Sequence, residues 1–130
     1  MDRIIEICCG SYEDAINAYR GGAKRIELNS ALYLGGLTPS IATLELIKRN
    51  TDLEVICMVR PRGAGFCYND EDLEVMKLDA EILLDNGADG IAFGVLSYIG
   101  VKAFSGKVKE ISIPTWIIGV VFVLKFILIH

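Results

Sequence analysis

The run Val59-Arg60-Pro61-Arg62-Gly63-Ala64-Gly65-Phe66-Cys67-Tyr68 joins the end of an apolar segment to a loop dense in reactive and backbone-bending residues. Pro61 lacks a backbone donor and has a fixed φ, and Gly63 and Gly65 open conformations closed to other residues, so a strand is expected to end near Arg60. Arg60 and Arg62 stand at i and i+2. On an extended backbone both point to one side and could hold a single anion or carboxylate between them. A solvated basic turn is the alternative, since surface loops commonly carry arginine.

Other charged groups fall into place once the apolar runs are read as strands, because side chains alternate faces along a strand. Glu6 and Cys8 then oppose Ile5, Ile7 and Cys9; Arg25, Glu27 and Asn29 oppose Ile26 and Leu28; Ile56, Met58 and Arg60 oppose Val55, Cys57 and Val59. If the apolar sides meet helices, Glu6, Cys8, Arg25, Glu27, Asn29 and Arg60 converge on the opposite side, toward the lumen and mouth of a barrel. Buried charges persist only when paired and hydrogen-bonded. The cluster therefore reads either as an ion-pair layer filling the lumen or as a ligand site at the strand C-terminal ends, where α/β barrels place their chemistry. In the second reading Glu6, Arg25, Glu27 and Arg60 would orient a small anionic molecule and move a proton.

The elements that must position these groups alternate in the manner of βα units. Arg3 to Cys8 reads as a strand stopped by Gly10. Ser11 follows as an N-cap, with Glu13 and Asp14 in the first turn of a helix that closes at Gly21-Gly22. Arg25 to Asn29 is the second strand, Ile41 to Asn50 a helix starting beyond Pro39, and Leu53 to Arg60 the third strand. Asn69 or Asp70 caps a helix over Glu71 to Asn86, and Gly90 to Leu96 is the fourth strand. The order Gly-Ala-charge-x-Ile occurs at 22–26 and again at 87–91, as expected of a repeated helix stop feeding a parallel strand. The expected fold class is α/β: parallel βα repeats forming a truncated half of a TIM-type (β/α)8 barrel, with a half-barrel over 1–96 and a divergent apolar tail over 97–130.

Composition narrows the function classes. The chain has 130 residues and a net charge of −4, with its basic residues dispersed, which argues against a nucleic-acid footprint. Four cysteines (Cys8, Cys9, Cys57 and Cys67) lack CxxC spacing and the single histidine is His130, a poor basis for a zinc site of the usual kind. A reduced cytosolic setting fits, and Met1-Asp2-Arg3-Ile4 has no secretory-signal character. The expected partner is a metal ion or a small anionic ligand.

Glu-Ile-Cys at 6–8, Gly-Gly-Ala-Lys-Arg-Ile-Glu-Leu at 21–28, Gly-Gly-Leu-Thr-Pro-Ser at 35–40, Val-Arg-Pro-Arg-Gly at 59–63 with Phe66-Cys67-Tyr68, and Gly-Ala-Asp-Gly-Ile-Ala-Phe-Gly-Val-Leu at 87–96 together resemble the CutC copper homeostasis family. The resemblance covers residues 3–96 in order. It implies a (β/α)8-barrel-like, cytosolic protein linked to copper tolerance and proposed to bind Cu(I). The family commonly has a cysteine directly after Arg-Ile-Glu-Leu, proposed to pair with the one matching Cys8 in holding copper; here that position is Asn29. Cu(I) is soft, so Cys8, Cys67 and Met58 are the candidate ligands, whereas Cys9 and Cys57 have helix-facing parity.

After Leu96 the resemblance stops, and a whole barrel takes about 250 residues. The abruptness suggests a truncated product, such as a frameshift or a retained intron, and an inactive fragment is a third reading of function. Thr115 to Ile129 is apolar apart from Thr115 and Lys125, shorter than a membrane span and with a lysine inside. A strand or helix covering the open half-barrel, and an aggregation-prone peptide, are the competing expectations. Strands one and four would otherwise be open edges, from which self-association is expected.

Overall fold

The computed structural model describes residues 4–95 and 125–129. Its elements are β1 (Glu6–Cys9), α1 (Tyr12–Arg20), β2 (Arg25–Leu28), a single 3-10 turn (Leu32–Leu34), α2 (Ile41–Asn50), β3 (Glu54–Met58), α3 (Asp70–Asp85), β4 (Gly90–Gly94) and β5 (Lys125–Ile129). Strands β1 to β4 lie side by side in chain order, all parallel, and the helices between them form the crossovers of a partial TIM-type barrel.

Local chemistry explains the boundaries. Ser11, Ser40 and Asn69 each cap a helix by accepting a backbone N–H three residues on, from Asp14 (3.1 Å), Thr43 (3.2 Å) and Asp72 (2.8 Å). Asp14 also reaches back to accept from the Gly10 N–H at 2.9 Å, so two otherwise orphaned donors at the start of α1 are satisfied. The repeated Gly-Ala is one device used twice. Gly22 (φ +89°) and Gly87 (φ +96°) take the left-handed conformation that ends α1 and α3. The following alanine N–H then bonds five residues back, Ala23 to the Ala18 carbonyl and Ala88 to the Leu83 carbonyl, both at 3.0 Å. This is the Schellman arrangement, and it aims the chain directly into β2 and β4.

Side-chain alternation sorts the sheet as the strand periods require. Cys9, Ile26, Leu28, Val55, Cys57, Val59, Ile91 and Phe93 face the helices and pack with Ala15, Leu44, Ile47, Leu73, Met76 and Leu83 in one continuous core. The opposite face carries Glu6 and Cys8, then Arg25 and Glu27, then Glu54, Ile56 and Met58, and finally the small residues Gly90, Ala92 and Gly94.

The two sheet edges differ from expectation in one respect. β5 pairs antiparallel with β4 along Gly90 to Gly94, so strand four is not an open edge. The last residues of the apolar tail take the strand alternative; the span Thr115–Leu124 lies outside the described residues. A β-branched, apolar segment supplies the ladder that the β4 backbone otherwise lacks. Among the described residues β1 has a partner on one side only. Its helix-facing Ile5 and Ile7 are exposed, Ile5 at 73%, and with Ile4, Ala18 and Gly21 to Lys24 they line a groove of about 640 Å³. No helix among the described residues is long and apolar enough to cross a membrane.

Candidate functional site

The charged residues of the lumen face do not form one cluster. They divide between the two ends of the strands, and the register decides which group falls where. Glu6, Arg25 and Glu54 are the first residues of β1, β2 and β3 and stand in one cross-strand row. Arg25 donates through Nε to Glu6 Oε2 at 2.8 Å and pairs through Nη1 with Glu54 Oε1 at 3.4 Å. One buried cation thus lies between two carboxylates at the N-terminal end, the end that in barrels serves stability. Glu54 shares the parity of Ile56 and Met58, and that parity was the signal that could have found it.

The next rows belong to the C-terminal end. Cys8 stands beside Glu27, and Asn29 follows just past β2. Asn29 is buried, and its Nδ2 lies 3.3 Å from Glu27 Oε1 and 3.5 Å from Cys8 Sγ. The amide therefore occupies the space beside the Cys8 sulfur. Gly36 sits against the other side of Asn29: a Cβ there would come within 2.4 Å of Asn29 Oδ1 and would need a φ of +87°. Glycine at 36 is what lets the loop from Gly35 to Thr38 close over this end.

Arg60 lies beneath that loop and differs from the ion-pair expectation. An ion-pair layer was one of the two alternatives for this face, but among the described residues no carboxylate pairs with Arg60. Its Nη1 donates to the Leu34 carbonyl at 2.8 Å and the Gly36 carbonyl at 3.1 Å, and its guanidinium lies 4.8 Å from the centre of the Phe66 ring. The cause is reach: the strand continues past Met58, carrying Arg60 beyond the rows of Glu6 and Glu27 and under the glycine loop. Thr38 locks the junction. Its N–H donates to the Arg60 carbonyl at 3.0 Å, while its Oγ1 accepts the Arg60 N–H at 3.0 Å and lies 3.1 Å from Asp79 Oδ2. Burial raises the Asp79 carboxyl above its ordinary range, and the bond from Thr38 partly offsets this. Neither Thr38 nor Asp79 stood out in the sequence, since both are common residue types outside the strands.

Arg62 is drawn away from Arg60. It pairs with Asp72 Oδ2 through Nε at 2.9 Å and Nη2 at 2.7 Å, donates to the carbonyls of Gly63, Ala64 and Cys67, and stacks on Tyr68 at 5.2 Å. These bonds fold the 61–69 loop around the guanidinium. The two arginines that flank Pro61 thus have separate partner sets and do not face each other across one ligand.

The soft donors are dispersed as well. Cys8 and Cys67 are exposed and outside any disulfide, and Met58 is half-buried on β3. Strand β2 runs between Cys8 and Met58, so their strands are about 10 Å apart at the usual interstrand spacing. Among the described residues no three His, Cys, Asp or Glu side chains come together in a way that could hold a metal ion. Cys9 and Cys57 are held as protonated thiols: burial, helped by nearby Asp14 and Cys8, raises Cys9 to about 11, and burial with Asp89 raises Cys57 to about 12, Lys48 opposing. The groove along β1 lies on the opposite side of the sheet from Glu6 and Cys8 and has no part in this chemistry.

Comparison with known proteins agrees with the motifs. The family model described as CutC matches residues 3–125, extending past Leu96, where the motif resemblance ends. A protein from Treponema denticola named "family protein CutC" is 58% identical over 96 residues, covering 74% of this chain and 39% of that protein. The human protein named "Copper homeostasis protein cutC homolog" is 47% identical over 97 residues, 75% of this chain and 36% of that one. A crystal structure of a CutC protein from Streptococcus agalactiae superposes with a TM-score of 0.70 at 26% identity, covering 79% of this chain and 55% of that one. The chain thus spans less than half the length of these curated relatives. By its motifs, its sheet and the extent of the family match, this chain belongs to the CutC family.

Proposed function

We propose that the chain takes part in copper homeostasis in the cytosol by holding Cu(I) as cargo, with Cys8 as its thiolate ligand. Relatives that carry the name copper homeostasis protein support the role. The observation that carries the assignment of Cys8 is its setting: an exposed thiol on the lumen face whose sulfur lies 3.5 Å from the Asn29 amide. Cu(I) favours thiolate and thioether donors. Cys8 supplies one, an amide nitrogen at Asn29 supplies none, and Cys67 and Met58 are the remaining soft donors toward the loop. Four cysteines outside any disulfide suit a reducing compartment. Competition titration against a Cu(I) chelator tests this reading under reducing conditions. Cys8→Ser weakens retention, Cys9→Ser leaves it unchanged, and Asn29→Cys strengthens it by placing a second thiolate beside the first; equal losses in the two serine variants would overturn it.

We also infer that the chain associates with a second copy through β1. Among the described residues one edge of β1 offers unpaired backbone groups, and Ile4, Ile5 and Ile7 leave apolar surface beside it. Sedimentation at a series of concentrations is the measurement. Ile5→Lys should shift the chain toward monomer, and a wild-type monomer at all concentrations would sink the idea.

A further inference from the structure

Arg60 is 6% exposed, carries a charge that a guanidinium cannot lose in a protein, and forms no ion pair among the described residues. Its Nη1 is satisfied by two neutral carbonyls and its face by Phe66, but its Nε–H is buried without a hydrogen-bond partner. Beside it the Tyr68 hydroxyl is also buried with no hydrogen bond of full geometry, and its oxygen is placed to take a weak bond from the Arg60 guanidinium. Burial raises its pKa while the Arg60 guanidinium next to it lowers it, so near neutral pH the phenol keeps its proton. The Tyr68 oxygen can accept from Arg60, so the groups left without a counterpart among the described residues at the C-terminal mouth of β3 are the Tyr68 O–H proton and the Arg60 charge.

A ligand that takes the Tyr68 O–H and offsets the Arg60 charge must bring a negatively charged acceptor, and an oxyanion is the acceptor to which a phenol and a guanidinium both bond well. The surroundings fit an incoming ligand. Gly63 and Gly65 have open space where a Cβ would stand, and Ala64 and Gly65 are exposed, so the loop over Arg60 and Tyr68 is not itself packed under other elements. Asp72, in the first turn of α3, is already engaged by Arg62. Asp79 reaches Thr38 and stops there.

We propose that Arg60 and Tyr68 form a binding site for the oxyanion group of a small molecule, a carboxylate or a phosphate, at the C-terminal end of β3. Arg60 supplies the countercharge from beside the Tyr68 oxygen, and Tyr68 donates to the ligand through its hydroxyl. Phe66 holds the guanidinium in place, and the Leu34 and Gly36 carbonyls fix its orientation through Nη1. The site does not depend on copper, shares no residue with the Cys8 assignment, and stands or falls separately from it.

Calorimetric titration of the full chain with acetate and with inorganic phosphate, at constant ionic strength and with chloride as the control anion, tests the proposal. Saturable binding of one probe is expected, and which of the two binds more tightly identifies the oxyanion. Tyr68→Phe keeps the ring and removes only the hydroxyl, and it should weaken binding roughly tenfold, the usual effect of losing a hydrogen bond to a charged group. Arg60→Met should abolish binding, whereas Met in place of the exposed Arg20 on α1 should leave it unchanged. Absence of saturable binding in the wild-type chain would mean that Arg60 and Tyr68 satisfy each other without a ligand, and the proposal fails. Unaltered affinity in Tyr68→Phe, or a loss in Arg20→Met equal to that in Tyr68→Phe, overturns it as well.

Discussion

Arg25 and Arg60 lie on the same face of one parallel sheet and are buried to nearly the same degree, 8% and 6% exposed. Arg25 stands between Glu6 and Glu54, both within ion-pair reach, at the N-terminal ends of the strands. Arg60 has neutral carbonyls, an aromatic face and the Tyr68 hydroxyl at the other end, and no carboxylate among the described residues. Burial alone does not separate a structural arginine from one held ready for a ligand; the sign and number of the surrounding acceptors do. The contrast follows the general division of labour in α/β barrels, with stability at one end of the strands and chemistry at the other.

The largest effect that could break this contrast is on stability. Arg25→Met leaves two carboxylates facing each other without a cation and is expected to cost about 3 kcal/mol, at the lower end of the cost of breaking a buried pair because Glu54 reaches solvent. Arg60→Met removes only neutral partners and should cost about 1 kcal/mol from hydrogen bonds lost to the Leu34 and Gly36 carbonyls. Urea denaturation of the two variants measures both. A loss at Arg60 equal to that at Arg25 would erase the distinction.

Gly36→Ala probes how the Arg60 end is built. A Cβ at 36 collides with Asn29 Oδ1 and needs a left-handed backbone, so the loop should withdraw at a cost of about 2 kcal/mol. The same substitution should alter any ligand effect at Arg60, whose Nη1 bonds the Gly36 carbonyl. An unchanged midpoint of unfolding would contradict the cradle.

Thiol reactivity carries the comparison from the two ends to the two faces. Exposed Cys8 and Cys67 should react with a thiol reagent at pH 8, while Cys9 and Cys57, raised to about 11 and about 12, should react only on unfolding. Mass spectrometry of the labelled native chain counts the modified sites. Rapid labelling of Cys57 would mean that the core face opens.

The smallest expected effect is a pH dependence at Asp79. Its folded-state pKa is raised by burial, so its contribution to stability is complete below the unfolded value of 3.8 and is lost as pH rises through the folded value. Asp79→Asn keeps an acceptor for Thr38 and removes the buried charge, so it should be more stable than wild type near pH 7 and lose that advantage near pH 4. Thermal denaturation at the two pH values checks the sign.

Much of this molecule is legible in its sequence because parallel βα units repeat a simple grammar. Ser11, Ser40 and Asn69 mark helix starts, the two Gly-Ala stops mark helix ends, and strand alternation alone places Glu6, Cys8, Arg25 and Glu27 on one face. Parity does not say how far along the barrel axis a side chain lies, and so it grouped Arg60 with glutamates that belong to other rows. Nor could it show that the carbonyls of Leu34 and Gly36 would be Arg60's acceptors, because backbone acceptors in a loop leave no mark on residue type. Arg62 was misleading for a related reason. Its i, i+2 relation to Arg60 holds only on an extended backbone, and the loop that starts at Pro61 folds around it instead.

The central claim is that Arg60 is a binding arginine and Arg25 a structural one, and the side-chain Nε–H signals of both in a single nitrogen–proton NMR spectrum test it most directly. As acetate or phosphate is added at constant ionic strength, the Arg60 signal should shift along a saturating curve while the Arg25 signal, already bonded to Glu6, stays in place. A stationary Arg60 signal, or equal movement of the two, would contradict the account.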